Sequence, residues 1–267
     1  MRKPATALLA VPGLALAGTL GYPLLLVLGT ARHGMAVLGS AAFLAALEHT
    51  VGIALAATAG SMALALVFAL VLAFAPFRAS RTLGRFADTM IALPSFLTVL
   101  ALTFAYGSAG VVNGALAAWF GHGGPRLDFL YSAWGVILAE ITIYMPFVMR
   151  PLLAAFEAID RAQIEIATGL GGGAWVILRR VVLPAAVPAL LAGGSLCLLL
   201  TLNEFGVVLF IGAKGVITLP LLVYDKAIQE FDYPAACAMA AVNIALALAL
   251  FAAYRALLTR LMPDAVH

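Results

Sequence analysis

Charge is what this sequence has least of. Only 10% of its 267 residues are Asp, Glu, Lys or Arg, against 64% hydrophobic. A soluble domain of this size carries about 25% charged residues. The shortfall excludes an ordinary water-exposed surface and makes lipid the solvent for much of the chain. Cysteine is nearly absent as well: Cys197 and Cys237 lie in apolar surroundings and suggest neither a disulfide framework nor a metal site. The four histidines, His33, His49, His122 and His267, fall in loops or at the terminus without metal-ligand spacing. No Gly-x-x-x-x-Gly-Lys-Ser/Thr phosphate loop occurs, which excludes a self-contained ATPase of that class. The net charge of +3 does not point to nucleic acid, because the few cations sit in short gaps between apolar runs.

Those apolar runs set the organisation. Six have roughly the 18–25 residues a helix needs to cross the hydrocarbon. They are Ala7–Gly29, Val51–Ala75, Thr89–Gly107, Ser132–Met149, Ala185–Ile211 and Ala235–Tyr254. The first continues past the small-residue run Ala15-Leu16-Ala17 and is too long for a signal peptide core, so it is expected to remain as a span. No span contains His or Asp, which removes the nucleophile–base pairs that an intramembrane hydrolase needs. Basic residues fix the orientation. Arg2 and Lys3, then Arg78, Arg81 and Arg85, then Arg150, Arg161, Arg179 and Arg180, then Arg255 and Arg260 fall on one side. Only Arg32, Arg126, Lys214 and Lys226 fall on the other. Both termini are therefore expected to be cytoplasmic.

One cytoplasmic connection is long. The segment 157–184 mixes Glu157, Asp160, Arg161, Gln163, Glu165, Arg179 and Arg180 with Ala, Ile, Leu and Val. Glu157–Ala167 suits a short helix, the glycines at 169 and 171–173 break it, and a second short helix is expected over Ala174–Val182, ending at Pro184. On composition alone this is either a docking surface for a soluble partner or an amphipathic element lying on lipid.

The same connection carries a motif. Glu165-Ile166-Ala167, three residues, Gly171, nine residues, Val181, one residue and Leu183-Pro184 match the EAA signature spacing. Ile166 and Val181 depart from the usual Ala and Ile. This resembles the permeases of binding-protein-dependent ABC importers. Further on, Leu93-Pro94-Ser95, Tyr106-Gly107-Ser108-Ala109-Gly110 with Asn113-Gly114 after it, and Asn203-Glu204-Phe205-Gly206, where Asn203 replaces the common first Gly, resemble the sulfate, molybdate, iron and polyamine branch. The run from Thr201 to Lys226 is most similar to permease subunits for 2-aminoethylphosphonate.

The resemblance implies an all-α integral membrane protein with one transmembrane domain over 1–267. Its bundle would be of the type I importer (MetI-like) kind, with cytoplasmic coupling helices. It implies that Glu165, Ala167, Gly171, Leu183 and Pro184 couple the spans to an ATPase. The implied partners are an ABC ATPase dimer that holds ATP-Mg, a second permease chain (identical or different), a periplasmic substrate-binding protein and the lipid bilayer. No nucleic acid partner, catalytic residue, metal or cofactor in this chain is implied. The setting would be a bacterial inner membrane.

Inside the spans, Asn203 and Glu204 are the most informative polar pair, because an ionisable residue there is costly and faces the bundle or a wet path. They are candidates for the gate, with Pro94 and Ser95, although an interhelical hydrogen bond would also account for them. Glu140, near Thr142, Tyr144 and Pro146, reads as a bundle-facing hydrogen-bonded residue. Pro94 and Pro146 are expected at kinks. Lys214, Asp225 and Lys226 are expected in outer loops. An ion-coupled secondary transporter is the remaining alternative, and it would predict inverted repeats and more intramembrane charge than these two acids.

Overall fold

The computed structural model describes residues 3–74, 80–121 and 125–261. Arg2, Arg78, His122, His267 and Ala75, which ends the second expected span, lie outside them. Among the described residues every regular element is helical. In chain order α1 is Lys3–Ala31, α2 Ala41–Phe74, α3 Ser80–Ala92, α4 Ser95–Tyr106, α5 Val111–Phe120 and α6 Ala133–Glu157. There follow α7 Arg161–Gly169, α8 Ala174–Ile177, α9 Leu183–Leu202, α10 Gly206–Ile211, α11 Leu219–Tyr224 and α12 Tyr233–Leu261. Five stretches are long and apolar enough to cross a membrane: Ala41–Phe74, Ser95–Phe120, Ala133–Glu157, Ala174–Leu202 and Tyr233–Leu257. At about 1.5 Å per residue, the 25 residues of α6 cover more than the roughly 30 Å of hydrocarbon.

Several expected boundaries are corrected. The helix of the second span begins at Ala41, before the expected Val51, so His49 lies within α2 and not in a loop. The span expected at Thr89–Gly107 begins only at Ser95, because residues up to Ala92 belong to the amphipathic α3. Pro94 forces the break: it offers no N–H and pushes Leu93 out of the helical region. The stretch resumes after Gly107–Gly110 as α5, so the crossing apolar segment runs to Phe120. The span expected at Ala185–Ile211 stops at Leu202 and restarts at Gly206. In the connection, Glu157 ends α6 instead of opening a short helix, and Pro184 does not end one. Ala174–Leu202 is continuous, with a wide turn at Leu178–Val182 in which the Leu183 amide bonds the Leu178 carbonyl. That shift of the ladder falls immediately before the proline that has no N–H to give.

The chain forms two compact units. The first contains residues 1–48 and 217–246. Phe43, Ala46, Leu219, Leu222 and Met239 form its core, flanked by Val37, Leu38, Val242 and Leu246. The starts of α2 and α12 are capped by side chains: Ser40 Oγ accepts from the Phe43 amide at 3.2 Å, and Asp232 Oδ1 from the Ala235 amide at 3.1 Å. Along α1, Tyr22, Leu24, Leu25, Leu26 and Leu28 are exposed, as a helix facing lipid requires.

The second unit contains residues 49–216 and 247–267. Its centre is the antiparallel pair α6 and α9. Val136, Ala139, Val148, Met149 and Leu152 of α6 are fully buried. A Cβ at Gly193 of α9 would stand 2.8 Å from the Val148 Cα, so glycine is what lets these backbones approach. Polar side chains cross-link the same unit: the Thr58 and Thr201 hydroxyls are 3.4 Å apart, and Tyr254 donates to the Leu191 carbonyl at 3.0 Å.

Candidate functional site

Two places in the second unit gather the residues that the sequence singles out. They lie at different depths. The connection between α6 and α9 occupies one end of that antiparallel pair. The loops before α6 and after α10 occupy the other end.

In the connection, Asp160 caps α7 by accepting from the Ala162 amide at 2.9 Å. Glu165 and Ala167 are on α7, Glu165 exposed and Ala167 half-buried. The helix closes with two paired bonds: the Gly171 amide to the Thr168 carbonyl at 2.9 Å, and the Gly172 amide to the Ala167 carbonyl at 2.9 Å. This closure needs a left-handed residue between them, and Gly171 has φ +81°. The motif glycine is thus a helix terminator fixed by its backbone angle. Nothing lies within 4 Å of where its Cβ would be, so space does not demand glycine; the angle does. Leu183 and Pro184 open α9 on the far side of the wide turn. Around this turn Ile166, Leu170 and Trp175 are 64%, 83% and 69% exposed. Large apolar side chains beside Glu165 and Arg161, projecting from a short rigid turn, form a surface suited to a protein groove.

The second place is the break between α9 and α10. Asn203 Nδ2 donates to the Leu199 carbonyl at 2.8 Å, the acceptor that its own amide would use in a continuing helix. The Asn203 and Glu204 amides instead make shorter-range bonds to Leu200 and Thr201 at 3.2 Å. Glu204 then starts the next helix, with Oε1 accepting from the Val207 amide at 2.8 Å. Its Oε2 accepts from the Tyr144 hydroxyl of α6. Glu204 and Tyr144 are both buried. Ser95 Oγ and Glu204 Oε1 each lie 3.3 Å from where a Cβ on Gly206 would be, so Gly206 leaves room for both. Phe96 and Phe210 extend this contact between α4 and α10, with ring centroids 5.8 Å apart.

Of the four gate candidates, Ser95 and Glu204 are therefore brought together. Pro94 starts α4 beside them, and Asn203 is exposed and bonds within its own helix. Glu140 is buried in the bundle as expected, but the expected hydrogen bond to Oε2 is not found among the described residues. Thr142 donates to the Leu138 carbonyl at 2.8 Å, Tyr144 is taken by Glu204, and Glu140 Oε2 is buried without a hydrogen-bond partner among the described residues. Sequence reading missed Tyr144 as the partner of Glu204. Its four-residue spacing from Glu140 puts the two on one helix face, a usable signal. It also missed Asn113 as a brace, although a lone Asn in an apolar helix is a standing question.

An all-helical bundle, a glycine-terminated turn with an exposed apolar surface at one end and a polar break just after the span that ends at Leu202 are what the resemblance to importer permeases calls for. The comparisons agree. The chain belongs to the family described as binding-protein-dependent transport system inner membrane component, whose profile matches residues 65–265. It is 52% identical to the "Putative 2-aminoethylphosphonate transport system permease protein PhnU" of Salmonella paratyphi A, over 96% of this chain and 93% of that one. It is 33% identical to the sulfate transport system permease protein CysT of Escherichia coli, over 65% of this chain and 62% of that one. Among solved structures, a bacterial ABC transporter that imports the acidic polysaccharide alginate shares the fold, with TM-score 0.84, 18% identity and coverage of 97% and 96%. The protein is a multi-pass permease subunit, a transport component and not an enzyme.

Proposed function

We propose that this chain is one of two permease subunits in a bacterial inner-membrane importer for 2-aminoethylphosphonate. The observation that carries the substrate is the 52% identity over nearly the whole chain to a permease of that name. The sulfate permease matches less closely and over less of the chain. In this reading α1 joins the five long apolar stretches as a sixth span, and both termini are cytoplasmic. The chain works as one transmembrane domain.

The connection 157–184 docks on an ABC ATPase dimer, which alone holds ATP-Mg. The support is its surface: Ile166, Leu170 and Trp175 are exposed around a turn whose shape is fixed by Gly171. A periplasmic binding protein loads the outer mouth. Closure of the ATPase dimer carries α7 with it and turns the bundle outward, and hydrolysis resets it. Such a switch works only if ATP favours one arrangement over the other. The contact of Ser95, Glu204 and Gly206 belongs to the gate, because it joins the ends of two broken spans.

The test is uptake of labelled 2-aminoethylphosphonate into vesicles holding this chain, its ATPase, its permease partner and the binding protein. Uptake is expected to need ATP and the binding protein and to resist excess sulfate and phosphate. Absence of phosphonate uptake, with ATPase activity still stimulated by a sulfate-loaded binding protein, would discard the substrate and keep the class.

A further inference from the structure

At the end of the α6–α9 pair opposite the connection, three loops border an open cavity of about 420 Å³ lined by Ser108, Asp128, Tyr131 and Lys214. A smaller recess of about 130 Å³ shares Ser108 and Asp128 and adds Arg126 and Asn113. The walls are braced. Asn113, almost fully buried, donates to the carbonyls of Gly107 at 3.0 Å and Leu127 at 2.9 Å, and accepts from the Leu127 amide at 2.8 Å. The Lys214 amide donates to the Tyr131 carbonyl at 3.1 Å, tying the third loop to the second. Gly212 and Gly215, with φ +60° and +73°, turn the chain on either side of Lys214 and present it.

Among the described residues, Arg126, Asp128 and Lys214 form no ion pair, although Asp128 and Lys214 line one concavity and Arg126 and Asp128 the recess beside it. Opposite charges held apart by braced loops leave each free to meet a ligand that brings the complementary pair. A phosphonate head, ionisable twice, suits the two cations, and an ammonium suits Asp128. A concave wall in which a few charged and hydroxyl groups are set among apolar surface is the kind of site that takes a small zwitterion.

We propose that this cavity, with the recess beside it, is a receiving site for an aminoalkylphosphonate, in which Lys214 holds the phosphonate and Asp128 the ammonium, with Arg126 adding positive charge from the recess. The proposal rests on the substrate reading above. It makes the permease itself selective for the amine, in addition to whatever the binding protein selects.

The test uses the complete transporter in lipid nanodiscs without binding protein, probed by phosphorus NMR line broadening of 2-aminoethylphosphonate and of ethylphosphonate. Wild type should broaden the amine more. Lys214→Ala should weaken broadening of both ligands about tenfold, the loss expected for one charge-assisted contact. Asp128→Asn should remove only the preference for the amine, and Lys226→Ala should change nothing. Uptake and binding-protein affinity are measured on the same variants. Wild-type uptake of 2-aminoethylphosphonate with broadening unchanged by Lys214→Ala and Asp128→Asn overturns the cavity and leaves the substrate reading intact. Loss of binding-protein affinity in step with uptake, with broadening unchanged, overturns it in favour of a docking surface. No wild-type uptake of the phosphonate overturns both.

Discussion

The turn at Gly171 and the break at Glu204 both stop one helix and start another, yet they are built from opposite materials. The turn is made by backbone: two main-chain bonds and a left-handed glycine. Its large side chains are left exposed. The break is made by side chains: Asn203 takes a ladder carbonyl, Glu204 caps the next helix, and Tyr144 reaches across from α6. The difference follows from the surroundings. In water a free backbone group finds a partner cheaply, so a turn can reserve its side chains for another protein. At the end of the span Ala174–Leu202 the break is packed against α6, with Glu204 and Tyr144 buried, and side chains must satisfy the groups that water does not reach. A connection that spends its side chains internally is poorly suited to docking, and a break that left them free would be costly.

The strongest way to break the first half of that contrast is Gly171→Pro. Proline is fixed near φ −65° and cannot adopt +81°, and it removes the amide that bonds Thr168. The local cost is about 3 kcal/mol or more. Uptake should vanish while the protein still inserts in the membrane. Normal uptake by this variant would end the coupling assignment for the turn.

Tyr144→Phe attacks the second half. It leaves Glu204 Oε2 buried with its inter-helix donor gone, at about 1–3 kcal/mol. The thermal midpoint in detergent should fall. In the Tyr144→Phe, Glu204→Ala double variant the two losses should sum to more than the double variant shows, because each single change already removes the same bond. Strict additivity would show that the bond contributes nothing to the break.

These two sites were not equally legible in the sequence. Spacing alone located Gly171, because a terminating glycine acts through its immediate neighbours. The pairing of Glu204 with Tyr144 spans 60 residues, and no local pattern encodes it. The apolar runs located the long helices α2, α6 and α12 but not their full length: α2 begins at Ala41 before the expected Val51, α6 runs past Met149 to Glu157, and α12 past Tyr254 to Leu261, because helices continue beyond the apolar stretch into polar residues. They failed at Asn203, because a one-turn interruption barely disturbs an apolar run, and at Pro94, where an amphipathic helix adjoins an apolar one. Pro184 misled for a different reason. A proline one or two residues into a helix segment is harmless, and the wide turn before it kept the helix continuous.

Leu170→Ser should be milder than either change above and should move a different quantity. Leu170 is 83% exposed, so removing its side chain disturbs no core. The thermal midpoint of the permease alone should stay put. Affinity for the ATPase should drop by about tenfold, the scale of one lost apolar anchor. A fall in midpoint with unchanged ATPase affinity would make the residue a structural part of the turn and would blur the contrast.

Asn203→Ala should have the smallest effect. Its side chain competes with its own amide for the Leu199 carbonyl. Alanine removes the competitor and has higher helix propensity, by about 0.5 kcal/mol. Glu204 would still cap α10 through Val207. The midpoint should therefore change by less than the Tyr144→Phe variant does, and the Asn203 amide should become slower to exchange with deuterium as it joins the ladder. Faster exchange there would mean that Asn203 protects the break instead of opening it, and Glu204 with Tyr144 would then be the sole cause of the interruption.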